Sequence, residues 1–145
     1  MSLDYWDEQG WIESVEMSAD DLRSLIELAQ RNIEEALNST HSSDWKFNIL
    51  YAAIINLASC ALRVLGYRAR AAGSHFYLIE SLEFTAEIDR DTISLIQSYR
   101  MKRNIATYEI GAMISESEAA EIEEVTTKLL DDIQSWIRKT HSDLM

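Results

Sequence analysis

The sequence contains no proline and only four glycines in 145 residues. Proline ends helices and glycine weakens them, so their scarcity removes the usual punctuation of a loop-rich or β-rich chain and favours long helices. A single cysteine, Cys60, rules out an intrachain disulfide and any multi-cysteine metal site. It sits in an apolar run and is expected to be inert core. No HExxH, paired cysteine or histidine cluster marks a zinc site, and no GxGxxG or Walker sequence marks a nucleotide cofactor, so neither metal nor cofactor is expected. The N-terminal stretch MSLDYWDEQG lacks the basic and apolar regions of a signal peptide, which makes the cytoplasm the expected location.

Basic residues are also few, 13 against 25 acids, for a net charge of −12. The imbalance is uneven. Residues 1–45 carry −9, residues 46–108 carry +3 and residues 109–145 carry −6. Acidic ends oppose nonspecific binding to a long duplex, while the middle can still hold a phosphate or a short single strand. Any nucleic-acid ligand is therefore expected to be single-stranded RNA or a nucleotide, bound with a shallow salt dependence.

What is abundant is helix-forming residues in periodic order. The length fits one domain, residues 1–145, with a real core. Residues 1–17 mix acids with Tyr5, Trp6, Trp11, Ile12 and Val15 without a clear period and read as an N-terminal arm that lays its aromatics on the bundle or on a neighbouring subunit. Ser18 with Asp21 is a capping-box variant, and Leu22, Leu25, Ile26, Ala29, Ile33, Ala36 and Leu37 are expected to form one apolar face of a helix ending near Asn38. Asp44 is the expected cap of a second helix, from Trp45 to Leu65, with Gly66 at its end. Residues 47–62 hold no charge but fall short of the roughly 20 apolar residues of a bilayer span, so this segment reads as the central helix and no membrane is expected.

The basic stretch YRARAAGS, residues 67–74, reads as a connection, with Arg68 a candidate phosphate-binding residue. A short helix from His75 to Ile88 is expected to turn Phe76, Ile79, Leu82 and Phe84 toward the core. Asp89 or Asp91 then caps a fourth main segment that runs to about Gly111, and Ser115 with Glu118 opens a last helix that reaches about His141. The expected fold is all-α: an up-and-down bundle of four main helices plus one short helix.

The candidate site lies on the helix that contains SYRMKRNIATYEIG, residues 98–111. Ile93, Ile96 and Tyr99 recur as one buried stripe, and continuing it at about 100° per residue meets Arg100, Arg103, Asn104 and Thr107, with Tyr108 at the edge. Guanidiniums on an inward stripe need an anion, water or a carboxylate of a neighbouring helix or subunit. Arg100, Arg103 and Asn104 are candidate binding groups for phosphate, and Tyr108 is a candidate donor or base. His75, at the start of a helix after a basic loop, is a candidate general acid or base.

Two stretches, ASCALRVLGYRARAAGSHF at 58–76 and SYRMKRNIATYEIG at 98–111, together with the opening WDEQGWIESVEMSADDLRSLIELAQRNIEEA at 6–36, resemble the HEPN family of small prokaryotic helical bundles, often encoded beside minimal nucleotidyltransferases. The resemblance covers nearly the whole chain. It implies a metal-independent, toxin-like endoribonuclease or its descendant, working as a homodimer with its groove where two motif helices meet. Arg103 and Asn104 match the family's Arg and following polar residue. Tyr108 stands where the family has its catalytic histidine, and no histidine lies elsewhere in that helix. A tyrosine with an ordinary pKa near 10 is a poor base at neutral pH, so binding is easier to support than cleavage unless His75 supplies the base. The alternative is a noncatalytic interaction module, such as a partner of a nucleotidyltransferase.

Overall fold

A computed structural model describes residues 2–38, 42–70, 74–108 and 114–144, without the side chains of residues 104–108. The fold is all-α apart from one two-stranded antiparallel ribbon. Four long helices carry it: α2 (Ala19–Leu37), α3 (Ser43–Val64), α5 (Arg90–Tyr108) and α6 (Glu116–Thr140). Two short helices, α1 (Leu3–Gln9) and α4 (Ser74–Ser81), and two strands, β1 (Ile12–Ser14) and β2 (Tyr67–Ala69), complete it, with a 3₁₀ turn at Ser142–Leu144.

α3 is the axis of the bundle because it alone is apolar on nearly every face. It has the length and apolarity of a membrane-crossing helix, but Phe47, Leu50, Tyr51, Ala53, Ile54, Leu57, Ala58 and Leu62 are all buried within the protein. It packs against α2, α6, α4, α5 and β2. α2 supplies Leu22, Ile26, Ala29, Ile33 and Ala36 to this core, and α6 supplies Ala119, Ile122, Leu129, Ile133 and Ile137. Both are one-sided stripes, as helices with a solvated opposite face should be.

Helix starts follow local chemistry. Ser18 accepts a hydrogen bond from the Asp21 backbone N–H, and Ser115 forms a full capping box with Glu118. α3 departs from expectation: Ser42 caps it by accepting from Trp45, whereas Asp44 accepts from the backbone N–H of Ile114 at 2.6 Å. A residue in the first turn of the helix is thus used to tie the start of α3 to the segment leading into α6.

The N-terminal residues are more regular than their sequence suggests. α1 ends at Gly10, whose φ of 78° is a left-handed conformation that a side chain would strain. The chain then pairs β1 with β2, setting Ile12 opposite Ala69, Glu13 opposite Arg68 and Ser14 opposite Tyr67. The expected loop at 67–74 is therefore partly a strand, and Gly66, at φ 89°, makes the turn out of α3 that delivers it. A three-residue strand has too short a period to be read without its partner. The aromatics of the arm do lie on the bundle: Trp6 is buried, edge-on to Trp11, Tyr77 and Phe84.

The short helix also differs. It stops at Ser81 rather than Ile88, and a turn closed by Ile88 N–H donating to the Leu82 carbonyl connects it to α5, which Asp89 caps through Thr92. Leu78, Ile79 and Leu82 are buried, but Phe76 is 42% exposed rather than core. On a helix of two turns the face toward α3 and α5 is already filled without it.

Candidate functional site

The polar end of the α5 stripe meets α3 and α4. Ile93, Ile96 and Tyr99 are buried as the spacing predicts, and the next positions on that stripe, Arg100 and Arg103, are half-buried. The Arg103 guanidinium lies 5.3 Å from the centre of the Tyr51 ring on α3. The Arg100 guanidinium lies 5.6 Å from that of Phe76 on α4. Next to Phe76, His75 places Nδ1 3.1 Å from the Tyr51 hydroxyl. Three helices therefore bring His75, Tyr51, Arg103 and Arg100 into one cluster.

The two arginines set the electrostatics around His75 and Tyr51. Burial, reinforced by Arg103 and Arg100, lowers the pKa of His75 below the ordinary imidazole value. His75 is accordingly a neutral imidazole at pH 7. Burial pushes the Tyr51 hydroxyl up to about 12, against the pull of the same two arginines, so it keeps its proton. The contrast with Tyr99 is informative: that hydroxyl donates to Glu121 at 2.7 Å and is fully engaged in holding α5 to α6.

Arg100 is held in place by a relay of side chains. Its Nε donates to Gln97 Oε1 at 2.8 Å, and Gln97 Nε2 donates both to the Phe76 carbonyl and to Glu80. Glu80 also receives both terminal nitrogens of Arg90, at 3.0 and 2.8 Å. Burial raises the Glu80 pKa, but the bonds from Arg90 and Gln97 outweigh it and the net shift is downward. The carboxylate of this region is thus committed to Arg90 and Gln97, one residue removed from Arg100.

Of the residues singled out from sequence, the fold brings together His75, Arg100 and Arg103. Arg68 is engaged elsewhere: its Nε donates to Glu13 at 2.7 Å across the ribbon. Asn104, Thr107 and Tyr108 continue the register of Arg100 on α5, but their side chains lie outside the described residues, as does the segment around Gly111. The residue that sequence reasoning missed is Tyr51. Its signal is that it is the single tyrosine of the uncharged run 47–62, and a buried tyrosine hydroxyl needs a partner from another element.

Among the described residues no group of three or more His, Cys, Asp or Glu side chains gathers to hold a metal ion. A scan against protein-family models, a search of curated proteins and a search of solved structures each find no match to this chain.

Proposed function

We propose that this protein binds single-stranded RNA at the junction of α3, α4 and α5 and cleaves it by metal-independent transesterification. The observation that carries this reading is the meeting of a neutral histidine with two guanidiniums: His75 beside Tyr51, with Arg103 over the same tyrosine and Arg100 over the next residue of α4. The sequence resemblance to the HEPN family points the same way, with His75 taking the part of the histidine missing from α5.

In this mechanism His75 carries its proton on Nδ1, donates to the Tyr51 oxygen and leaves the Nε2 lone pair for substrate. Nε2 removes the proton of a ribose 2′-hydroxyl as that oxygen attacks the neighbouring phosphorus. The P–O5′ bond breaks, the 5′ oxygen takes a proton from water, the hydroxide so formed takes the proton from Nε2 to restore the neutral imidazole, and the products are a 2′,3′-cyclic phosphate and a 5′-hydroxyl. Arg103 and Arg100 face the charge on the phosphoryl oxygens, the task for which a planar guanidinium is suited. Asn104 and Tyr108, further along α5, are assigned to orienting the strand.

A second copy is proposed to complete the groove, because Phe76 and Met101 are large, exposed apolar side chains on α4 and α5 beside the cluster. Light scattering giving a monomer mass at micromolar concentration removes that part of the reading.

The test is incubation of purified protein with end-labelled single-stranded RNA in chelator. Cleavage with a 2′,3′-cyclic end is expected, reduced about 10²- to 10⁴-fold in His75→Ala, as for loss of a general base, and about 10²-fold or more in Arg103→Ala. Activity that persists in both variants is contamination and ends the proposal. A second reading is favoured by Arg100 lying on the exposed Phe76 ring, an arrangement suited to binding without chemistry: a noncatalytic module, such as a nucleotidyltransferase partner. RNA binding that is lost in Arg103→Ala, with no product from wild type, selects it.

A further inference from the structure

A second cluster of arginines lies at the other end of α4's first turn, and nothing in the reaction above uses it. A groove of about 440 Å³ is lined by Arg63 from the last turn of α3, Arg68 and Ala69 from β2, Ser59, Ser74, Leu78 and Glu13. The Nε of Arg63 is buried and has no hydrogen-bond partner among the described residues. A guanidinium whose buried Nε goes unmatched is costly to keep charged, and an anion in the groove that Arg63 lines would compensate that charge.

The local charge favours this. Glu13 is the acid of the groove, and it is already taken by Arg68 at 2.7 Å and by Arg70 at 3.7 Å. Arg63 and Arg68 against that one carboxylate leave the lining with a net positive charge, and Arg70 adds a further cation to Glu13 from outside the groove. No other acid occurs between Asp44 and Glu80. Ser59 and Ser74, two hydroxyl-bearing residues from α3 and α4, line the same space. A tetrahedral phosphate, with more acceptor oxygens than a planar carboxylate, fits that set best.

We propose that Arg63 and Arg68, with Ser59 and Ser74, form a phosphate subsite that holds a backbone phosphate of the same RNA strand whose scissile phosphate lies at Arg103. The placement on one strand rests on the proposed function; the phosphate site itself rests on the orphaned Nε and the charge of the groove. The link between the two sites is α4, since Ser74 lines the groove and the next residue, His75, belongs to the reaction cluster.

The experiment uses the full chain and two probes that cannot be cleaved, a dinucleotide and an octanucleotide with 2′-O-methyl riboses. The Arg63 Nε–H resonance, assigned by its loss in Arg63→Lys, is followed by NMR, and affinity by fluorescence anisotropy across a salt series. The octanucleotide is expected to shift that resonance. Arg68→Gln, a half-exposed position chosen to leave folding intact, is expected to weaken octanucleotide binding about 5- to 10-fold and leave the dinucleotide unchanged. It should also lower the salt slope by about 0.7, the share of one phosphate on a single strand.

A resonance unmoved by both octanucleotide and inorganic phosphate overturns the subsite. A shift with inorganic phosphate but not with the octanucleotide overturns its place on the strand and assigns the groove to a free or terminal phosphate. If the octanucleotide shifts Arg63 while Arg103→Gln binds it as wild type does, the subsite stands and the reading at Arg103 fails.

Discussion

α3 meets two kinds of neighbour, and the difference separates what holds this protein together from what it can do. Toward α2 and α6 the burial is apolar: Leu22, Ile26, Ile33, Ile122, Leu129, Ile133 and Ile137 are nearly or wholly inaccessible. The polar side chain buried on α6, Thr126, spends its hydroxyl on the Ile122 carbonyl one turn back. Toward α4 and α5 the burial is aromatic and ionisable, with His75 and Arg103 against Tyr51 and Arg100 over Phe76. The first junction is satisfied by packing alone. The second keeps partly buried cations and a neutral imidazole together, an arrangement that apolar packing would not need.

The strongest test of that contrast compares one residue from each junction. Ile133→Ala removes a fully buried side chain and is expected to cost about 2–5 kcal/mol, the range for aliphatic truncations in a close-packed core. For a chain of this length that lowers the midpoint of thermal unfolding by roughly 2–4 °C per kcal/mol. Arg103→Ala is expected to cost less than half as much while abolishing RNA binding. Urea denaturation of both variants decides it. Equal losses of stability would mean that Arg103 is a structural residue and that the two junctions do not differ in kind.

The next effect is a dependence on pH. His75 has a lowered pKa in the folded protein, so between the unfolded value, near 6.5, and the lower folded value the unfolded chain binds the extra proton. Stability from this group is therefore fully present at neutral pH and is lost as pH falls from 6.5 through the folded pKa. If His75 is the base, cleavage falls over the same direction, because the imidazole becomes protonated, and it is flat from pH 7 upward. In His75→Gln this part of the stability loss should vanish while the loss at lower pH, where Glu80 titrates, remains. A wild-type stability profile that is level between pH 7 and 5 would contradict the burial of His75 beside two cations.

The two junctions were not equally legible in the sequence. The apolar stripes of α2 and α6 and the buried run of α3 follow from 3.6-residue periodicity, and the caps at Ser18 and Ser115 from local hydrogen-bonding chemistry. Arg100 and Arg103 were legible too, as charges on a stripe that begins apolar. Tyr51 was not, because its value depends on α4 arriving beside it, which no local pattern encodes. The same holds for the ribbon: Arg68 looks like a phosphate-binding residue in sequence, and only the register that places Glu13 opposite it shows where its Nε goes. Asp44 was read as a cap for the good reason that it precedes a helix, but a long-range partner, Ile114, took its oxygen instead.

A smaller change probes the apolar junction at its entrance. Ser115→Ala removes the side-chain acceptor for the Glu118 N–H and breaks the capping box of α6. The expected loss is about 1 kcal/mol, the usual value for an N-cap serine. It should appear in urea denaturation without any change in the His75 pH profile. A change in that profile would show that the start of α6 and the cluster around His75 are coupled, and that the two junctions are not independent.

The smallest expected effect concerns the relay behind Arg100. Arg90 makes a two-pronged contact with Glu80, but its side chain is 52% exposed, and exposed ion pairs contribute little once side-chain entropy and salt screening are counted. Removing it does not orphan Glu80, because Gln97 still donates to the same carboxylate and Glu80 keeps access to water. Arg90→Gln is therefore expected to cost about 0.5–1 kcal/mol at low salt and less at high salt. Gln97 then becomes the informative residue: its amide joins Glu80 and the Phe76 carbonyl on one side to Arg100 on the other. If the relay only braces α4 against α5, Arg90→Gln leaves RNA affinity within twofold of wild type. If it sets the position of the Arg100 guanidinium, affinity falls further than stability does, and by the same factor in Gln97→Ala as in the double variant. Anisotropy on the three variants separates these outcomes, and a large loss in Arg90→Gln alone would place a further cation in the RNA-binding surface.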